Sequence, residues 1–379
     1  LETAPGPFDF SFPGLRIPIS NNYFPYLPYM KHFKFYSKED ILSLTRVRRF
    51  ETKIGERLQN IKSESDWVQQ LQQSDAKYVL LGIPEDIGVK ANEGIGGADT
   101  NWLSFLSAFL NVQSNDFLTG ENILLLGHFD FGDIQYLIEN NAYGQPELID
   151  AYRHAVNLID EEVEAIVKVI AAAKKIPLVI GGGQNNAYPI IKGVAKGLHK
   201  AELVPLAQIN AVNLDAHPDF RAIEGRHSGN GFRYANEDGF LGKYCNLCLH
   251  ENYIPQNILM DIHNDPFIDY ITYEDIFINE KKNFIQAVAH ATGFTEDSYT
   301  GIELDLDSIE QVLSSAATPV GVTALHARQY ITFAAQDAKV AYLHICEGAT
   351  QLSDGRRDES TGKLISYLVS DFIKGSFQE

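Results

Sequence analysis

From Lys77 onward the chain repeats one rhythm: a short apolar run, a loop rich in Gly, Asp or Glu, then helix-like sequence. The runs are Tyr78–Ile83, Ile123–Leu126, Pro177–Ile180, Ile209–Leu214, Thr300–Leu304 and Val340–Ile345. Helical periodicity is clearest before the third run, where Tyr152, Ala155, Ile159, Val163, Ile166 and Ile170 recur at three- and four-residue spacing. Strands alternating with helices predict βαβ units, an α/β fold and a mostly parallel sheet covered on both faces.

Residues 1–75 read differently. Pro5, Pro7, Pro13, Pro18, Pro25 and Pro28 interrupt an aromatic-rich stretch through Phe35, and a charged segment from Lys38 to Gln73 reads as helical. This N-terminal extension is expected to pack on the catalytic domain of residues 76–379, because its aromatics need cover.

Ligands of open parallel sheets bind beyond the C-terminal ends of the strands. The six runs end at Pro84-Glu85-Asp86, His128-Phe129-Asp130, Gly181-Gly182-Gly183-Gln184, Asp215-Ala216-His217, Asp305-Leu306-Asp307 and Glu347, so polar and acidic residues gather at one rim. Asp215, His217 and Asp219 stand at i, i+2 and i+4, which share a face in extended backbone; Asp305 and Asp307 repeat the spacing. Four aspartates brought to one point cannot all stay ionised unless cations compensate. A lone aspartate at a strand end would read as a helix cap, but two such runs favour metal. Oxygen-rich ligands with an imidazole suit manganese, with zinc or iron as competitors, and paired ions of this kind activate water.

Bulk properties narrow the partners. A net charge of −19 argues against nucleic acid or an anionic membrane surface, and no run of apolar residues is long enough to span a bilayer. Residues from Leu1 to Pro18 lack the basic start and apolar run of a secretory signal. Three cysteines form no closed disulfide set, so a reducing, cytoplasmic setting is expected.

Asp215–Asp219, DAHPD, resembles the DAHxD signature of the ureohydrolases, the family of arginase, agmatinase and formimidoylglutamase. ELDLDSI at Glu303–Ile309 resembles their second signature, and GGGQNNAYP at Gly181–Pro189 sits where the family has GGDHS or GGGHE. HSGNGFR at His227–Arg233 is similar to the family's SGN substrate loop, and Glu347 stands where a substrate-facing glutamate usually sits. The resemblance runs from Tyr78 to Ile373. It implies a three-layer αβα fold of the arginase/deacetylase kind, two Mn²⁺ ions, a homo-oligomer and hydrolysis of a C–N bond in a guanidine or amidine. Asp215 and Asp305 would then bridge both ions, with Asp219 on the first and His217 and Asp307 on the second. Asp219 would also accept a proton, and Ser228, Asn230, Arg233 and Glu347 would face substrate.

Two departures matter. The first ion's histidine is replaced by Gln184, a neutral and weaker donor, so one tightly held Mn²⁺ and a weak or absent second are expected. Arginases carry a histidine where this chain has Phe232, which leans the loop toward formimidoylglutamase, a small-molecule amidine substrate and a carboxylate held by Arg233 or Arg226. Other readings are a guanidine hydrolase of the arginase or agmatinase type, a one-metal deacylase, and an impaired relative that binds a ligand or partner.

The remaining constellations are read structurally. Cys245 and Cys248 with His250 have the spacing of a zinc site but no second pair, and Tyr244–Leu249 reads as an apolar strand. Asn92 and Glu93 are read as turn formers that could touch substrate, and His128, Asp130 and Asp133 as hydrogen-bonding residues. Gly94-Ile95-Gly96-Gly97 matches no nucleotide fingerprint.

Overall fold

Ten strands form one sheet in the computed structural model, which describes residues 30–376. They are β1 (Phe33–Phe35), β2 (Gln59–Asn60), β3 (Tyr78–Gly82), β4 (Ile123–Phe129), β5 (Ile176–Ile180), β6 (Ile209–Leu214), β7 (Leu241–Leu249), β8 (Ile268–Thr272), β9 (Thr300–Asp305) and β10 (Val340–Cys346). The order across the sheet is β1-β4-β3-β5-β10-β9-β6-β7-β8, with β2 also paired to β4. All six predicted runs are strands. The pairings are parallel except that of β1 with β4. Every residue of β3, β6, β9 and β10 is buried, the signature of strands covered on both sides.

Alternation within each strand feeds two cores. Leu178 and Ile180 of β5 enter one with Trp102, Phe105 and Leu368; Val179 enters the other with Ile159, Val163 and Val194. The second core lies under the helix Gln145–Ala172, which packs on Ala187–Lys200. Gly144 at φ 84° and Pro146 in the first turn start that helix. Its stripe of Ile159, Val163, Ile166 and Ile170 is fully buried, each side chain contributing about 1.5–3 kcal/mol. On the opposite face Asn101–Phe109, Phe284–Thr295, Ala324–Ala334 and Ser360–Gly375 complete three layers.

The proline-interrupted stretch through Pro28 lies outside the described residues. The segment read as one helix from Lys38 to Gln73 is instead three short helices, Lys38–Ser43, Ile54–Arg57 and Trp67–Gln73, with β2 between the last two. Ser37 caps the first of them, Phe50 turns the backbone at φ 67°, and Gln59 and Asn60 pair with Leu124 and Leu125. Phe33 sits edge-on against Phe129, and Trp102 Nε1 donates to Tyr36 Oη at 3.2 Å. Residues ahead of Lys77 thus lend strands and aromatics to the sheet.

One topological feature positions the site. β6 follows β5 in sequence but lies three places away, with β10 and β9 inserted between them. The four central strands β5, β10, β9 and β6 therefore end side by side at the crevice where the strand order switches.

Candidate metal centre and substrate cleft

Those four strand ends carry Gln184, Glu347, Asp305 with Asp307, and Asp215 with His217 and Asp219. The aspartates do not share a face through extended backbone, as the spacing alone suggests. β6 ends at Leu214, and Asp215 Oδ1 then accepts from the His217 backbone N at 2.7 Å. Asp305 Oδ1 accepts from Asp307 N at 2.8 Å in the same way. Each leading carboxylate thus closes a turn that swings the residue two places on back beside it. Asp219 follows with φ 41°, a left-handed conformation that returns its carboxylate toward the cluster.

Two groups result, and Asp215 belongs to both. Ligating atoms of Asp215, His217 and Asp307 lie within 4.8 Å of one another, as do those of Asp215, Asp219 and Asp305. His217 Nδ1 is 3.3 Å from Asp307 Oδ2 and 3.6 Å from Asp215 Oδ1. Its ring stacks on Tyr253 with centroids 4.8 Å apart.

The electrostatics call for cations. Burial lifts the carboxyl groups of Asp215, Asp219 and Asp305 above the usual range, and neighbouring carboxylates lift them further, while His217 pulls Asp215 and Asp219 part of the way back. Glu347 is pushed up to about 8 by burial and by Asp307. Burial would lower His217, but Asp307 and Asp215 outweigh it and drive its pKa up to about 12. The buried Asp307 Oδ1 has no hydrogen-bond partner. Deep carboxylates with an orphaned oxygen and one imidazole fit divalent cations.

Gln184 is fully buried within the second of these groups. One end of its amide meets Asn213 Oδ1 at 2.9 Å. The other lies 2.7 Å from Asp219 Oδ2, 2.9 Å from Asp215 Oδ2 and 3.3 Å from Asp305 Oδ2. Its backbone N donates to Glu347 Oε1 at 2.8 Å. The loop beneath is held by Glu85, a buried carboxylate that accepts from Gly88 N, Gly183 N and the side-chain amides of Asn185 and Asn186 at 2.6–3.2 Å.

A cleft of about 530 Å³ opens over the centre, within the range of small-molecule sites. His217, Asp219, Asp305, Asp307, Glu347 and Ser228 line it. Other expected substrate residues lie elsewhere. Asn230 is buried, accepting from Arg226 Nη1 at 2.8 Å and donating to Gly225 O at 2.8 Å. Arg226 is buried too, against the rings of Tyr188 and Tyr234 and paired with Asp160. Arg233 pairs with Asp261 and Glu237 in a separate surface depression. Phe232 is buried and stacks on Tyr244.

Arg221, not singled out from the sequence, is the only lysine or arginine lining the cleft among the described residues. It reaches Asn92 Oδ1 at 2.8 Å and Glu224 Oε1 at 3.0 Å. Its place two residues after Asp219, in the loop leaving the strand end, was the available signal.

The remaining groups are structural. Asp130 pairs with Lys34 and Asp133 with Lys31, at the β1 edge of the sheet. Glu93 turns the chain at φ 63°. Cys245, Cys248 and Cys346 are free and buried, and burial raises all three thiols. Glu303 faces His344 Nδ1 at 2.7 Å and accepts from Tyr342 Oη at 2.7 Å, which satisfies both carboxylate oxygens one layer below the centre.

Residues 76–374 match the family model described as the arginase family. The chain belongs to that family. A curated formimidoylglutamase of Staphylococcus aureus is 24% identical over 302 residues, spanning 78% of this chain and 85% of its own. The structure of Trypanosoma cruzi formiminoglutamase with Mn²⁺ superposes with a TM-score of 0.64 at 19% identity, over 87% of this chain and all of its own. Formimidoylglutamase of Bacillus subtilis gives 0.65 at 17% identity, over 87% and 93%. The fold is the three-layer α/β fold of these structures, with a mostly parallel central sheet. Membership sets the coarse class, an arginase-family hydrolase, and leaves open the bond it cuts. Among the described residues no helix is long and apolar enough to cross a membrane.

Proposed function

We propose that the chain hydrolyses the C–N bond of a linear amidine, formimidoylglutamate, to glutamate and formamide. The observation that carries the substrate is Arg221, whose half-exposed guanidinium in the cleft supplies the charge a substrate carboxylate needs. Phe232 stands where an arginase carries its proton-shuttling histidine, which agrees with that choice. The names of the relatives support it.

Asp215, His217, Asp305 and Asp307 would hold Mn²⁺ tightly, and Gln184, Asp215, Asp219 and Asp305 a second ion more weakly. When bound, such ions act as Lewis acids that ease ionisation of water near neutral pH. The chain's own groups do the rest. Glu347, lining the cleft, accepts from an amidine N–H and so aims its carbon at the centre. Water's oxygen bonds to the formimidoyl carbon as the C–N bond to the amine breaks; Asp219 carries one water proton to the departing amine nitrogen and the other passes to the imine nitrogen, so that formamide and the free amine leave neutral. Arg221 and Ser228 bind the carboxylate end. The deacylase reading loses ground because His217 is the only histidine lining the cleft among the described residues.

The test is product identity by proton NMR, with Mn²⁺-loaded protein and formimidoylglutamate, arginine and agmatine offered separately. Formamide and glutamate are expected from the first and little urea from the others. Faster urea release would reverse the substrate assignment, and no product from any of them would favour a ligand-binding relative.

A further inference from the structure

We infer that Asn213 fixes the Gln184 amide with its carbonyl oxygen toward Asp215, Asp219 and Asp305, making that position an all-oxygen site for a hard cation beside a nitrogen-containing site at His217. The inference rests on the dinuclear reading above and adds which ion each position prefers.

A buried amide can be turned either way, and its neighbours decide. Turned with Nε2 toward the carboxylates, Gln184 would donate to Asp215 and Asp219, but its oxygen would then face Asn213 Oδ1 at 2.9 Å. Asn213 cannot turn to relieve this. Its Nδ2 donates to Asp215 Oδ2 at 2.9 Å and lies 3.2 Å from Tyr244 Oη. Turning it would set a carbonyl oxygen against that carboxylate. With Gln184 Nε2 on Asn213 Oδ1, and Asn213 Nδ2 on Asp215 Oδ2, a donor meets an acceptor at both contacts across the strand ends.

The consequence is a concentration of lone pairs. Gln184 Oε1 then faces three carboxylate oxygens at 2.7–3.3 Å, and among the described residues only Asn213 Nδ2, bound to Asp215 Oδ2, donates to any of them. All four side chains are buried or nearly so. Oxygen atoms at such separations are mutually repulsive unless a cation lies among them, and they match the edges of an oxygen shell around a small divalent ion. Donors that are all oxygen suit Mg²⁺, Ca²⁺ or Mn²⁺, whereas zinc is better served where an imidazole is present. Gln184 thus changes which metal is held, and Asn213 is its positioning residue.

The experiment is diffraction from crystals of the full chain grown with Mg²⁺ and Zn²⁺ together, recorded above and below the zinc edge. Zinc is expected at the His217 position, with occupancy beside Gln184 at least about tenfold lower and light-atom density there instead. In Gln184→His, zinc should occupy both. Asn213→Leu should lose the light cation and keep zinc at His217. Should that variant fail to fold, Gln184→His against wild type decides alone. Equal zinc at both positions of the wild type would overturn the inference while leaving the dinuclear reading intact. No cation at either position would contradict both.

Discussion

Asp215 and Asp305 stand side by side one rung beyond Leu214 and Leu304, the pair that ends the ladder between β6 and β9. Each accepts from the backbone N two residues on, so the same turn is built twice on neighbouring strands. Two buried carboxylates so placed are held against their own repulsion.

Asp215 belongs to both ligand groups, so Asp215→Ala should strip the centre. Bound Mn²⁺ after dialysis, measured by mass spectrometry, is expected to fall below about a tenth of wild type, a loss of at least ~1.4 kcal/mol. The metal-free variant should melt no lower than metal-free wild type, because a buried like charge has gone. Unchanged metal content would end the assignment.

Arg221→Leu removes the only lysine or arginine charge lining the cleft among the described residues. A charge-assisted hydrogen bond contributes about 1.5–3 kcal/mol, so KM for formimidoylglutamate should rise roughly ten- to hundredfold with kcat little changed. Arg233→Leu, which alters a side chain held by Asp261 and Glu237, should leave both constants near wild type. The reverse pattern would return the carboxylate to Arg233.

His227 carries a pH signature. Burial, reinforced by Arg221 and Arg153, lowers its pKa to about 4, and its Nδ1 accepts from Gly229 N at 3.1 Å. The folded chain therefore resists a proton that the unfolded chain takes up near 6.5. The stabilisation is complete above that value and is lost as pH falls toward 4, by up to about 1.4 kcal/mol per unit. Urea denaturation of metal-free protein between pH 4.5 and 7.5 should show this slope, and His227→Asn should flatten it. Parallel slopes would show that His227 titrates normally.

Arg226 and Asp160 form a buried pair, with Nε to Oδ2 at 2.8 Å and Nη2 to Oδ1 at 3.2 Å. Arg226→Met leaves Asp160 uncompensated and should cost about 3–5 kcal/mol in denaturant titration. Adding Asp160→Leu should recover part of that loss. A single variant as stable as wild type would mean that the pair is not intact in solution.

How far the sequence could be read depended on how local each signal is. The six central strands are continuous apolar runs, which burial on both faces demands, so Tyr78–Ile83 and its counterparts stood out. β1, β2 and β8 are short or half-exposed and owe their pairing to partners distant in sequence. Asp215, His217, Asp219, Asp305 and Asp307 were visible because their spacing is contiguous. Arg226 and Arg233 read as candidate carboxylate ligands, but their placement away from the cleft depends on Asp160, Tyr188 and Asp261, on other elements. The orientation of Gln184 depends on Asn213 across two intervening strands, and spacing carries no trace of it.

A metal centre between Asp215 and Asp305 underlies the predictions above. Anomalous diffraction at the manganese edge, from crystals grown with millimolar Mn²⁺, tests it most directly. Two peaks are expected, one beside His217 and Asp307 and a second beside Gln184 and Asp219, with the first persisting after a brief EDTA soak and the second fading. Crystals that show no anomalous density between these carboxylates would contradict the account.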